Sequence, residues 1–120
     1  MGKFVKGEVV TLPFPFSNLT GSKKRLAFVT SEPMGDDIML CQITASRNDT
    51  YSIELTRSDF ASGSLPQDPS YIRPNKIFTS DVSVILNKNG IVKAAKYSEV
   101  RDRIVSIIFR WMILPPPAVS

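Results

Sequence analysis

Histidine is missing from the 120 residues, and cysteine occurs once. Without an imidazole there is no Ser-His or Cys-His nucleophile pair and no ordinary acid–base histidine. One cysteine and no histidine also leave no ligand set for zinc, so neither a metal nor another cofactor is expected. The lone thiol, Cys41, stands inside the apolar run IMLCQI, where it reads either as a small buried hydrophobe or as a nucleophile. No apolar stretch approaches the length of a membrane span. The opening residues MGKFVKGEVV lack the continuous apolar core of a secretory signal. The expectation is a cytoplasmic protein with no membrane partner.

What is present is an ordinary globular composition, 42% hydrophobic and 22% charged, with no low-complexity block. A chain of this length buries roughly two-thirds of its unfolded surface on folding, so neither a disulfide nor a structural metal is needed. The formal charge is +4 and the isoelectric point about 9.4, a modest tilt toward a polyanionic partner. Its distribution says more than its sum. Lys23, Lys24, Arg25, Arg47, Arg57, Arg73 and Lys76 fall in or beside predicted loops and strand ends.

Short apolar runs divided by turn signals predict strands over 7–13, 25–31, 38–46, 51–56, 70–78 and 82–87, with a last one near 90–94. Asn89-Gly90 predicts a hairpin, because both residues tolerate positive φ. Gly35-Asp36-Asp37 and Arg47-Asn48-Asp49 predict turns, and 58–70 a longer loop. One helix is expected over about 98–113, capped by Ser98 and stopped by Pro115, Pro116 and Pro117. The fold class is thus dominated by β, a small SH3-like barrel of about six or seven strands with a C-terminal helix. A single domain over 1–114 and a proline-rich tail over 115–120 complete the division. Val100, Ile104, Ile107, Ile108 and Trp111 recur at helical spacing. That face is wider than one small barrel covers, which suits a dimer interface.

Alternation puts Arg25, Ala27 and Val29 on one side of the second strand. Arg25 can hold a guanidinium at the mouth of a groove, or be a solvated strand-end cation. In QITASR, Gln42, Thr44 and Ser46 share a side and can donate to phosphate oxygens, or form a plain polar stripe. In SYIRPNKIFTSD, Pro74 belongs at an edge or a bulge. Lys76 and Phe78 there project together, as a cation and an aromatic do in single-stranded nucleic-acid sites; Phe78 reads equally as core. Leu12, Phe14 and Phe16 form a period-two apolar face that reads as core rather than as a stacking platform.

Three stretches, GEVVTLPFPFSNLTGSKKRLAFVTS, QITAS and SYIRPNKIFTSD, together resemble the MazF/PemK family of toxin ribonucleases from toxin–antitoxin pairs. The resemblance spans about residues 5–113. It implies an SH3-like barrel with a C-terminal helix, a homodimer that binds single-stranded RNA, and a cognate acidic antitoxin that occupies the RNA groove. The family's catalytic arginine matches Arg25, and its hydroxyl residue at the end of the third strand matches Thr44. Leu26 stands where the family usually has proline, Lys76 is the nearest cation to Phe78, and the histidine of some members has no counterpart.

A ribonuclease of this kind needs no histidine, since the 2′-OH of RNA already lies beside the scissile phosphate. Arg25 would stabilise the phosphorane's added charge while Thr44 donates to the same phosphate. The products would be a 2′,3′-cyclic phosphate and a 5′-OH. Lys23, Lys24, Arg47, Arg57, Arg73 and Lys76 would line the RNA backbone, with Ser46 beside them. Asp81, placed along the same path, and Glu54 are candidates for general base by charge type alone. Two other readings share the barrel: an inactive relative that only binds RNA or antitoxin, and a gyrase-poisoning toxin.

Overall fold

Period-two alternation builds the first half of the chain. In β1, Glu8–Phe14, the side chains of Val10, Leu12 and Phe14 turn one way and Val9 the other. Strands β2, Lys23–Val29, and β3, Asp37–Thr44, alternate in the same fashion. The computed structural model describes residues 3–14, 23–47 and 50–118. Phe16, most of the polar loop after it, and two residues of the third expected turn lie outside the described residues. The later elements are β4, Ile53–Leu55; β5, Phe60–Gly63; β6, Ser70–Asp81; β7, Asn87–Val92; and the helix α1, Ala94–Ile113.

The seven strands form one antiparallel sheet in the order β4-β6-β3-β2-β1-β7-β5. Its two edge strands are neighbours in sequence, joined by Thr56 and a 3-10 turn, Arg57–Asp59. The five peptide steps from Leu55 to Phe60 reach at most roughly 17 Å. A flat sheet would hold its edges six strand spacings, roughly 29 Å, apart. The sheet must therefore curl into a half-barrel.

Both faces of the curl are apolar. On one side Val9, Phe28, Cys41, Ile43, Ile53, Leu55, Ile72 and Val92 pack beneath Val100, Tyr97 and Ile104 of α1. On the far side Val10, Leu12, Phe14, Ala27, Val29, Ile38 and Leu40 form a second cluster, edged by Phe4, Phe78, Val82 and Ile85. Pairing of β1 with β7 stops at Thr11, whereas pairing with β2 runs on to Phe14. Pro13, which has no N–H to donate, thus sits where β1 has one partner strand. Pro74 is fully buried where the register of β6 against β3 shifts between Cys41 and Ile43, at a bulge as its chemistry requires.

Four sequence expectations are corrected. Asn89-Gly90 is no hairpin turn. It lies inside β7, where the register against β1 shifts between Val9 and Val10, and Thr11 Oγ1 donates to Asn89 Oδ1 at 2.7 Å. Neither residue has a positive φ; Gly90 suits this place because a Cβ there would meet the Ser62 carbonyl oxygen and the Phe60 ring across from it on β5. The expected strand over 82–87 is instead a 3-10 turn, Val82–Val84, followed by β7. The expected loop over 58–70 contains β5, which pairs with β7. The helix begins four residues before Ser98, with Lys93 at its N-cap and no side-chain cap. Tyr97 explains the earlier start. Its ring stacks on Phe28 at 5.9 Å and its hydroxyl donates to the Thr30 carbonyl at 2.8 Å, so tertiary anchoring outweighs a local cap.

Candidate functional site

The far side of β2 carries Arg25, Ala27 and Val29, the last two buried in the far-side cluster. Across the strand boundary Ala27 faces Gln42 and Val29 faces Leu40. Carried two residues past its last bridged pair, this register sets Arg25 opposite Thr44. Alternation independently puts Thr44 on the same side as Gln42, hence on the side of Arg25. The two residues singled out by the sequence therefore share one face of adjoining strands.

The same rung continues in both directions. Leu12 of β1 faces Arg25, Tyr71 of β6 faces Thr44, and Glu54 of β4 faces Tyr71. Ile43, Ile72 and Ile53, one residue away on three of these strands, are all buried on the helix side, which fixes Thr44, Tyr71 and Glu54 on the other. A row of guanidinium, two hydroxyls and a carboxylate results, spaced by about 4.8 Å per strand.

Arg25 and Thr44 are set up by their neighbours. The Arg25 guanidinium lies 6.0 Å from the centroid of the Phe14 ring, a cation–π contact that supports it from one side. Phe14 in turn meets Phe78 edge-on at 5.1 Å, so both aromatics act as a packed floor. Thr44 Oγ1 accepts the Ser46 backbone N–H at 3.3 Å, leaving its own O–H to donate outward. Beside them, Gln42 Oε1 is buried with no hydrogen-bond partner among the described residues. No ion pair engages Arg25 or Glu54 among the described residues.

The remaining sequence candidates divide by position. Lys23 shares the side of Arg25 and pairs across from Phe14, while Lys24 alternates to the other side opposite Pro13. Ser46 and Arg47 follow Thr44 at the same end of the sheet and are exposed. Arg73 is half-buried two residues after Tyr71, and Lys76 is exposed in the β6 bulge. Arg57 belongs to the turn between β4 and β5, 3.9 Å from Asp68, with Nε donating to the Leu65 carbonyl. Asp81 is not brought to the row. It faces Asp37, seven residues along β3 from Thr44, roughly 23 Å away. There its carboxylate accepts the Ser83 N–H at 2.8 Å and caps the following turn. That hydrogen bond holds its pKa below the ordinary carboxylate value.

Two further residues are resolved by placement. Cys41 is fully buried on the helix side, and burial pushes its thiol up to about 12, which removes it as a nucleophile at neutral pH. Leu26 packs against the helix-side cluster, so the residue standing in place of the family's usual proline does not touch the Arg25 face. Among the described residues no group of three or more His, Cys, Asp or Glu could hold a metal ion, and no helix is long and apolar enough to cross a membrane.

Sequence reasoning named Glu54 by charge type and held Tyr71 only as part of SYIRPNKIFTSD, without their place in this row. The signal that joins them is the pairing of β4 with β6, which no local pattern carries.

No family model matches the chain, and no curated protein matches it in sequence. Solved structures do. A mycobacterial endoribonuclease in complex with its cognate antitoxin superposes with a TM-score of 0.69 at 15% identity, over 94% of this chain and 98% of that one. MazF from Deinococcus radiodurans gives 0.65 at 20% identity, over 91% and 99%. A MazE–MazF complex from the same organism gives 0.66 at 16%, over 88% and 95%. The curled seven-strand sheet with one C-terminal helix is the MazF toxin fold.

Proposed function

We propose that the chain is the toxin of a type II toxin–antitoxin pair and cleaves single-stranded RNA, sequence-specifically and without a metal. The observation that carries this reading is the shared face of Arg25 and Thr44 on adjoining strands. The 2′-oxygen attacks the neighbouring phosphorus, and the phosphorane gains negative charge on its non-bridging oxygens. Arg25 offers fixed charge and paired N–H donors to those oxygens, and Thr44 adds an O–H whose oxygen is already engaged by the Ser46 N–H. Neither group has to ionise or reorganise. Departure of the 5′-oxygen leaves a 2′,3′-cyclic phosphate and a 5′-OH.

Exposed Arg47 and the strand-end cation Lys23 lie at the same end of the sheet and suit the RNA backbone. An acidic antitoxin segment would compete for the same cations. Its existence is supported by the neighbouring toxin structures that hold a cognate antitoxin. A homodimer is supported by the outer half of α1, where Val105, Ile108, Phe109, Trp111 and Met112 are all exposed.

The test is direct. Purified protein is incubated with mixed-sequence single-stranded RNA in EDTA beside an Arg25→Ala control, and the cut ends are sequenced. Cleavage by the wild type alone, at a recurring motif, supports the reading. RNA bound but left intact would favour an inactive relative, and strict dependence on added magnesium would contradict the chemistry.

A further inference from the structure

We infer that Glu54 is the general base of this site and that Tyr71 holds the reacting phosphate beside Thr44. The inference rests on the ribonuclease reading above and assigns roles which that reading leaves open. The row Arg25, Thr44, Tyr71, Glu54 is set by strand register. Between its charged ends lie three strand spacings, roughly 14 Å from backbone to backbone. The long side chains at each end can lean inward over the two hydroxyls and leave room for a phosphodiester with its attacking and leaving oxygens. An in-line displacement sets the attacking and leaving oxygens on opposite sides of phosphorus, so a proton acceptor at one end of the row can reach the 2′-oxygen while Arg25, Thr44 and Tyr71 face the non-bridging oxygens between them.

Three observations select Glu54 among the carboxylates. It is the only acid on the row, and Asp81, the other candidate by charge, lies at the opposite end of β3. Its neighbours Asp59 and Glu99 are both engaged by Lys96, at 3.6 and 2.8 Å. The Glu54 carboxylate has no ion pair among the described residues. Finally, its backbone is pinned. Lys96 Nζ donates to the Glu54 carbonyl at 3.0 Å, and Arg103 Nη1 donates to the Tyr51 carbonyl at 3.0 Å. The helix thus clamps a three-residue edge strand that would otherwise fray. The titratable and charged groups around Glu54 are Tyr71 and Arg73 on β6, Asp59 in the turn after β4, Lys96 and Glu99 on the helix, and Arg25 across the row.

The step balances as follows. The 2′-O–H bond breaks and its proton passes to a Glu54 carboxylate oxygen as the 2′-O–P bond forms. The P–O5′ bond breaks, and the 5′-oxygen leaves with the electron pair, taking a proton from solvent water. Tyr71 and Thr44 donate hydrogen bonds to non-bridging oxygens throughout. Glu54 then returns its proton to water before the next turnover.

The experiment uses the full chain and a cleaved single-stranded RNA under single-turnover conditions. Binding is measured separately on the same RNA with a 2′-deoxy residue at the cut site. Glu54→Gln should lower the cleavage rate by about 10²–10⁴-fold and abolish the acid limb of its pH profile, leaving affinity unchanged or tighter. Glu54→Asp should restore part of the rate and the acid limb. Tyr71→Phe should lower the rate by about tenfold or more with the pH profile retained. A Glu54→Gln protein that cuts at the wild-type rate with an unaltered pH profile overturns the inference. If Arg25→Ala is dead in that case, the ribonuclease reading survives. A wild type that cuts no RNA overturns both.

Discussion

Raising the pH should destabilise the protein through one thiol. Cys41 is fully buried, and its pKa is pushed from the ordinary 9.0 to about 12 by loss of solvation. In the unfolded chain the same thiol ionises near its ordinary value. Between those two values the unfolded state sheds a proton that the folded state keeps, so stability falls as pH rises. About three pKa units at 1.36 kcal/mol each set the full loss at roughly 4 kcal/mol. That is a large part of the 5–15 kcal/mol typical of a domain. Burial raises the pKa of Tyr97 as well, with Glu32 adding to the rise and Arg101 opposing it, so Tyr97 acts in the same direction.

Other lysines and tyrosines titrate over this range, and comparison with Cys41→Ala isolates the thiol. The variant should be about 1 kcal/mol less stable at neutral pH, for the cavity it creates. By pH 11 the wild type should have lost roughly 3 kcal/mol more than the variant, reversing their order. Urea melts at a series of pH values read both midpoints. Parallel curves for the two proteins would refute the reasoning. So would modification of Cys41 by a thiol reagent in the native protein at the rate seen in urea.

Gly63 has φ +80, and a Cβ there would overlap the Asn89 carbonyl oxygen and the Gly90 Cα. Gly63→Ala should therefore part β5 from β7 at a cost of roughly 2–4 kcal/mol, read as a thermal midpoint lowered by about 10 °C or more. Gly35→Ala, where φ is +65 but the space is open, should cost only about 1 kcal/mol. Light scattering at micromolar concentration should give the mass of a dimer, and Phe109→Ser with Trp111→Ser should give a monomer of unchanged far-UV spectrum; a monomeric wild type would remove the dimer. Affinity for uncleavable RNA should fall with salt, and Arg25→Ala or Arg47→Ala should each flatten the log–log slope by about 0.7. Asp81→Asn, at the other end of the sheet, should leave that slope unchanged.

The alternation of EVVTLPF, KKRLAFV and DIMLCQIT made three strands legible, because each buries its two faces in opposite clusters. It also put Arg25 and Thr44 at strand ends with polar or small neighbours. What stayed hidden depends on partners distant in sequence. β5 is a four-residue strand in a stretch rich in turn residues, stabilised by β7. Asn89-Gly90 carries the chemistry of a hairpin turn, and only β1 and β5 on either side hold it inside a strand. Ser98 is a good cap, yet Tyr97 packing on Phe28 starts the helix earlier. The row from Arg25 to Glu54 is a product of four strands in register. Glu54 looked like any solvated acid because the residues that place it, Tyr71 and Thr44, are 17 and 10 positions away.

The measurement that bears most directly on the account places a single 2′-deoxy nucleotide on the 5′ side of the phosphate at an established cut site. If one guanidinium and one hydroxyl on adjoining strands only assist the RNA's own 2′-oxygen, that RNA binds with ordinary affinity and stays uncut in EDTA. Cleavage at the substituted position would mean that water or a protein group is the nucleophile, and would contradict the account.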